Sequence, residues 1–342
     1  MPIELDPHAA SGPATGTGFL GLDVTPDQAE VVLVPVPFEA TVSYGGGAAR
    51  GPAAILEASK QIDLFDLETG KPYARGIAML PVPDELVQLS ERARAHAEKV
   101  IAAGGRSPAV EADHRAVEAA GERVNAWLAA EVERYQAQGK LVGVVGGDHS
   151  VPFASIAACA QRWPGMGVLH LDAHADLREA YHGFTWSHAS IFWNVLRRCP
   201  GVAKIVGVGY RDLCEEEHQL IEGEPRLLAF YDPWLKRQAV EGVPFAEIAA
   251  GIVSKLPQQV YLSFDIDGLD PSLCPSTGTP VPGGLLWHEA LALLRTVVES
   301  GRQIVGLDLC EVAPGPDGDE WDANVGARLL YKMCGYALAT RR

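Results

Sequence analysis

The chain lacks an excess of positive charge: 28 Lys and Arg stand against 44 Asp and Glu in 342 residues, a formal net charge of −16. That balance excludes a general electrostatic grip on nucleic acid, whose phosphates require Lys and Arg in excess; small or cationic partners fit better. No apolar run approaches the ~20 residues that cross a bilayer, which excludes an integral α-helical membrane protein. The six cysteines (Cys159, Cys199, Cys214, Cys274, Cys310 and Cys334) form no C-x-x-C pair. The opening MPIELDPHAA has no basic stretch followed by an apolar one. A reduced, cytoplasmic setting is the expectation from both. No repeat or low-complexity linker divides the chain, and its length lies within reach of one large α/β domain.

What is present is a recurrence of short apolar runs: 31–36, 76–80, 141–145, 167–171, 203–208, 226–231, 259–264 and 303–307. Several are apolar nearly throughout, as strands covered on both faces are. Helical spacing occupies 84–104, 111–138, 151–162, 188–198, 245–255 and 287–300. Alternating strand and helix predict a parallel sheet with helices on both sides. Residues 1–30, rich in Gly, Pro and Ala without periodicity, read as an extension or arm packing on the body or on a neighbouring subunit. A single domain over 31–342 follows it.

Ligands of such sheets bind beyond the carboxyl ends of the strands. Three of those ends carry acids and histidines: Gly146-Gly147-Asp148-His149-Ser150, Asp172-Ala173-His174-Ala175-Asp176 and Asp265-Ile266-Asp267. Grouped carboxylates leaving water cost many kcal/mol unless cations or hydrogen bonds compensate. Asp172, Asp176, Asp265 and Asp267 with His149 and His174 therefore form a candidate cation site. Four carboxylates formally neutralise two divalent ions, and mixed oxygen and imidazole donors suit Mn²⁺, Zn²⁺, Ni²⁺ or Fe²⁺ better than Ca²⁺. Two such ions about 3.5 Å apart lower the pKa of a water held between them toward neutrality, which is hydrolase chemistry. Any single Asp at a strand end is more often a cap or turn former, and Asp148 and Asp270 fit that description. His170, inside Val168-Leu169-His170-Leu171, reads as a hydrogen-bonded core residue.

The segments GGDHS at 146–150, DAHAD at 172–176 and SFDIDGLDP at 263–271 resemble, in order and spacing, the signature motifs of the ureohydrolases, the arginase and agmatinase family. The similarity runs from about Val31 to the C-terminal helix. It implies a three-layer αβα sandwich around an eight-stranded, mainly parallel sheet, assembled as a trimer or hexamer. It implies a binuclear site, normally Mn²⁺, held by His149, Asp172, His174, Asp176, Asp265 and Asp267, with Asp172 and Asp265 bridging the ions and Asp148 orienting ligands. Glu311 matches the family's guanidinium-binding acid and His188 its proton shuttle, which makes His188, Glu311 and Asp176 the catalytic set. His182 is a rival to His188. Thr279, in Ser276-Thr277-Gly278-Thr279-Pro280, is expected to line the pocket.

The substrate's tail is less sharply written. Where arginases hold the α-carboxylate and α-amino group, this chain has Arg178 and, after Arg211-Asp212, Cys214. Loss of the acid disfavours an α-ammonium, and agmatine, giving putrescine and urea, becomes the expected substrate. Arg178 either attracts the carboxylate of a guanidino acid or is a solvated or interface charge. The segment 37–47 ends in three glycines and reads as a flexible rim; Tyr44 on it, or Trp186 beside His188, could cover a small cation by cation–π contact, although both residue types more often serve packing. A tightly closing rim would favour guanidine itself, with Ni²⁺ in place of Mn²⁺. The competing readings are a guanidinase, a guanidino-acid hydrolase, a formimidoylglutamase and a non-catalytic subunit of a hetero-oligomer.

Overall fold

The apolar runs form eight strands: β1 (Val31–Val36), β2 (Ile77–Met79), β3 (Leu141–Gly146), β4 (Met166–Leu171), β5 (Val202–Val208), β6 (Leu227–Phe230), β7 (Gln259–Asp265) and β8 (Gln303–Cys310). They make one sheet in the order β2-β1-β3-β8-β7-β4-β5-β6, and every pairing is parallel. The structure is a computed structural model that describes residues 14–341. The first thirteen residues of the expected arm lie outside the described residues.

Near-continuous apolar sequence is needed because each strand is covered twice. Along β1, Val31 and Leu33 face one core, while Val32, Val34 and Val36 face the other. Helices α1 (Gly51–Ser59), α8 (Phe245–Val253), α9 (Trp287–Glu299) and α10 (Trp321–Ala339) cover the first face. Helices α2 (Asp84–Ala102), α3 (Glu111–Ala137), α4 (Phe153–Arg162) and α5 (Ile191–Arg198) cover the second. The result is the three-layer sandwich expected, with a sheet that is parallel throughout.

Three short helices went unread in the sequence: α1, α6 (Glu215–Gly223) and α7 (Asp232–Val240). The buried residues of α6 are Glu217 and Ile221, and those of α7 are Asp232 and Leu235. Neither leaves an apolar stripe long enough to show a 3.6-residue period. In α10 the reverse holds, since burial on nearly all sides erases the contrast between faces. The helix expected at 188–198 begins as a single 3-10 turn over His188–Ser190.

Part of the expected arm belongs to the body. Phe19, Leu20 and Leu22 are buried with Ile55 and Ala58, and the Leu20 N–H donates to Ser59 Oγ at 2.9 Å. Among the described residues no helix is long and apolar enough to cross a membrane.

Candidate metal centre and substrate cavity

The parallel sheet delivers its polar residues to one edge, because every strand ends on the same side. Beyond β3 the chain turns so tightly past residue 38 that a Cβ on Gly147 would lie 2.0 Å from the Phe38 carbonyl oxygen. The turn aims His149 inward, and its Nδ1 lies 3.0 Å from Asp172 Oδ2, 3.2 Å from Asp176 Oδ2 and 3.3 Å from Asp265 Oδ2. His174 Nδ1 lies 3.0 Å from Asp267 Oδ2 and 3.5 Å from Asp172 Oδ1. Asp172 thus turns one oxygen toward each histidine. Asp265 Oδ1 accepts the Asp267 N–H at 2.8 Å, fixing the turn after β7. The six residues expected to hold metal are gathered in one place.

Their mutual proximity is electrostatically costly. Burial, then the charges of Asp267 and Asp172, push the Asp265 carboxyl well above the ordinary range. Burial and Asp172 raise Asp176 to about 7. His149 is held protonated despite its burial because Asp172, Asp176, Asp265 and Asp308 all face it. Burial likewise opposes charge on His174, yet Asp267 and Asp172 raise it to about 12. Protons here do the neutralising work that cations would do. Among the described residues three sets of donors come within 4.8 Å of one another: His149, His170, Asp172 and Asp176; Asp172, His174 and Asp267; and, behind His149, a third made of His149, Asp308 and Cys310. Imidazole nitrogen plus carboxylate oxygen in two groups sharing Asp172 fits a pair of divalent ions.

Two of these groups have partners the sequence reading passed over. His149 Nε2 lies 3.0 Å from Ser263 Oγ, whose hydroxyl donates to Asp308 Oδ1 at 3.0 Å. His170, read as a hydrogen-bonded core residue, is fully buried, and its partners are Asp172 Oδ2 and the Tyr210 hydroxyl. The available signal was a period of two. Residue 172, the first past β4, continues the alternation that 170 belongs to, and residues 263 and 265 share a face of β7.

Above the acids lies a cavity of about 170 Å³, whose walls include His174, Asp176, Asp265, Asp267, Thr279, His188, Arg178 and Glu311. Glu311, beyond β8, has a left-handed backbone at φ 61°, as does Asp176 at φ 53°, a conformation that costs a non-glycine residue about 1–3 kcal/mol. Its Oε1 accepts the His149 N–H at 2.9 Å. Burial and the charges of Asp265 and Asp148 push it well above the usual carboxyl value. His188 is neutral: burial, then the charges of His174 and Arg178, push it down to about 3. Its Nδ1 sits 3.1 Å from Thr41 Oγ1. His182 is not part of the cavity wall; its carbonyl oxygen accepts the Arg106 N–H. Thr279 Oγ1 donates weakly to Asp267 Oδ2 at 3.4 Å.

Several expectations need correction. Tyr44 is 86% exposed and its neighbour Ser43 lines the cavity in its place. Trp186 is also outside the cavity, its ring packed 5.0 Å from that of Phe153 and beneath the Arg198 guanidinium at 4.9 Å. The rim is tied down rather than loose. The Glu39 carboxylate accepts the N–H groups of Gly47 and Ala49, Gly45 N donates to Gly278 O, and Asp148 Oδ2 accepts the Ala40 N–H. Cys214 caps α6 and leaves the outer wall to Asp212 and to Glu217, acids the sequence reading missed. Glu217 accepts the Leu177 and Cys214 N–H groups and lies 3.6 Å from Arg178 Nε. Arg178 also stacks on Tyr181 at 4.9 Å.

Buried carboxylates that demand cations, beside a further acid able to face a planar cationic group, define a metal-dependent hydrolase of guanidino compounds. The arginase-family profile matches residues 29–335, so the chain belongs to the arginase family. It is similar to an N(1)-aminopropylagmatine ureohydrolase of Thermus thermophilus, with 34% identity over 315 residues covering 92% of each chain. It is similar to the agmatinase of Bacillus anthracis, with 28% identity over 323 residues covering 93% of this chain and 96% of the relative. Among solved structures, proclavaminate amidinohydrolase from Streptomyces clavuligerus superposes with a TM-score of 0.72 at 24% identity, covering 96% of this chain and 99% of that one. At that identity the likeness concerns the fold.

Proposed function

We propose that the protein hydrolyses the terminal guanidino group of a linear guanidine with a cationic tail, releasing urea and an amine. Agmatine, yielding putrescine, is the first candidate and its aminopropyl derivative the second. The observation that carries this reading is the sign of the cavity wall. Glu311, Asp212 and Glu217 place three further carboxyl groups on the wall beyond the metal-binding acids, against one arginine that already faces Glu217 and Tyr181. A carboxylate tail would have to displace those partners. A guanidino-acid hydrolase, the alternative that Arg178 suggested, is therefore the weaker reading.

In this proposal His149, Asp172, His174, Asp176, Asp265 and Asp267 hold two divalent ions, with Mn²⁺ the expected metal and Ni²⁺ acceptable to the same donors. The ions, when bound, make water nucleophilic near neutral pH and polarise the group attacked. Glu311 then holds the guanidinium: its side chain keeps the His149 N–H on one oxygen and offers the other to the planar N–H donors. Attack at the guanidinium carbon makes a tetrahedral centre whose amine must leave with a proton. His188 begins neutral and has Nδ1 turned to Thr41, which leaves Nε2 to take a proton and pass it to the departing nitrogen. Thr279 keeps Asp267 oriented. Assembly as a trimer or hexamer is part of the same proposal, read by light scattering.

The test is urea release by purified protein loaded separately with Mn²⁺ or Ni²⁺, against agmatine, N(1)-aminopropylagmatine, arginine, guanidinobutyrate and guanidine. Turnover should be confined to the first two. Preference for guanidinobutyrate would refute the cationic-tail reading, and no urea from any of them would refute the function.

A further inference from the structure

Parallel register sets Gly207 of β5, His170 of β4, Ser263 of β7 and Asp308 of β8 side by side in one lateral row of the sheet. The three polar members of this row are fully buried one strand step below the acids. Burying polar side chains in the middle of a sheet otherwise packed with Val, Leu and Phe is unfavourable unless each is hydrogen-bonded. His170 is bonded at both ring nitrogens: Nε2 to Asp172 Oδ2 at 2.8 Å and Nδ1 to the Tyr210 hydroxyl at 2.6 Å.

The partners fix the tautomer. An ionised carboxylate only accepts, so Nε2 carries the hydrogen and Nδ1 accepts from the Tyr210 O–H. An imidazole protonated at Nε2 has no lone pair there for an ion, although His170 is one of the four residues of the first donor group. Three features hold the ring. Phe192 packs on it at 3.9 Å between centroids. Tyr210 is itself buried. Its ring occupies the space beside Gly207, where any Cβ would lie 2.1 Å from Tyr210 Cζ. A phenol as the outer partner adds no charge to a site already crowded with carboxylates.

We propose that Tyr210 and His170 are positioning residues for the metal centre. Together they set the rotation of the Asp172 carboxylate so that Oδ2 faces the His149 group and Oδ1 faces His174. A carboxylate free to rotate would serve the two groups less well, and hydrogen bonds behind a metal-binding carboxylate carry a large share of affinity. The inference rests on the binuclear site proposed above.

The test is calorimetric titration of the metal-free full chain with Mn²⁺, with thermal unfolding of the metal-free protein as the check on folding. His170→Phe should bind two ions with about 10- to 100-fold lower affinity, and Tyr210→Phe should fall in the same direction by a smaller factor, with a modestly lower Tm because the buried His170 Nδ1 loses its donor. His170→Gln, which keeps an N–H donor at the same reach, should recover most of the loss. Should His170→Phe fail to fold, Tyr210→Phe and His170→Gln decide the matter. Wild-type affinity in the Phe variants overturns the inference alone. Uptake of one ion by His170→Phe overturns it too, by making His170 a ligand. A wild-type chain that takes up no Mn²⁺ removes the proposed function and this inference together.

Discussion

Glu311→Gln separates the charge of the guanidinium site from its shape. Gln has the same length, its Oε1 can still accept the His149 N–H that Glu311 Oε1 accepts at 2.9 Å, and the left-handed backbone at this position is unaltered. What disappears is one negative charge facing a cation inside a buried site. Removing one partner of such a hydrogen-bonded charge pair costs about 2–5 kcal/mol, which at 1.36 kcal/mol per decade is about 30- to 5,000-fold in kcat/KM for agmatine. Retention of the backbone hydrogen bond places the expectation near the middle, about 10²- to 10³-fold, with metal content unchanged. The same substitution should act with the opposite sign on the metal-free protein. Burial and neighbouring acids hold the Glu311 carboxyl above its ordinary pKa. The folded state therefore binds the proton more tightly than the unfolded chain, and stability falls as pH rises from about 4.3 toward the folded value. Gln escapes that penalty, so the metal-free variant should melt higher than wild type at neutral pH, with the gap closing below about pH 4. Steady-state urea kinetics and metal-free thermal melts at pH 4 and 7 are the assays. A kcat/KM within threefold of wild type, with two ions bound, would refute the guanidinium role of Glu311.

Asp265→Asn with Asp267→Asn should abolish Mn²⁺ binding as well as activity; elemental analysis showing two ions per chain would remove both residues from the metal site. His188→Asn should keep its metal and lose about 10²- to 10⁴-fold in kcat, the usual worth of a positioned proton carrier, and unchanged kcat would end its assignment. Away from the site, Lys332 Nζ lies 2.7 Å from Asp66 and 2.8 Å from Glu68 and pins α10 to the turn at 66–70. Lys332→Met should destabilise the fold by about 1–3 kcal/mol, chiefly the penalty of leaving the buried Asp66 carboxylate without its cation, since the exposed Glu68 keeps Arg295 and the Tyr336 hydroxyl. Burial opposes charge on Asp66, but Lys332 and the Thr69 and Glu68 hydrogen bonds outweigh it and hold its pKa below the ordinary value. That stabilisation is present above the unfolded pKa near 3.9 and is lost as pH falls through the lower folded value. Denaturant melts of the variant and wild type should converge in acid, and a pH-independent difference would refute the electrostatic account.

The strands were legible because double coverage writes itself as unbroken apolar runs, and the acids at their ends stood out against those runs. What stayed hidden depended on sequence-distant neighbours. Glu217 looks in sequence like one of three consecutive acids on an exposed helix, and only the fold reveals that its carboxylate is tucked under the helix against the Leu177 N–H. Arg178 was ambiguous until its partners, Glu217 and Tyr181, were placed. Tyr44 and Trp186 read in the sequence as aromatic covers for a small cation, yet a position near the pocket in sequence says nothing of which way a ring points. The triple glycine at 45–47 implied a loose rim, and the restraint comes from Glu39, several residues earlier, whose carboxylate closes the loop on itself.

The centre also shows where the fold stores unfavourable energy. Asp176 and Glu311 adopt left-handed backbones, and both carboxyls are pushed upward by burial and like charge. Strain and repulsion gathered at one strand edge have to be offset elsewhere, here by two apolar layers that cover the sheet on either face. In the proposed function that cost is useful because cations would relieve it: acids that repel one another would attract a metal pair, and His149 and His174 would have to give up protons as the ions bind. Metal affinity should therefore fall steeply as pH drops. The buried row below the acids completes the logic, since carboxylates bearing this much repulsion would turn away from one another unless residues such as His170 and Ser263 held the site in its productive rotation.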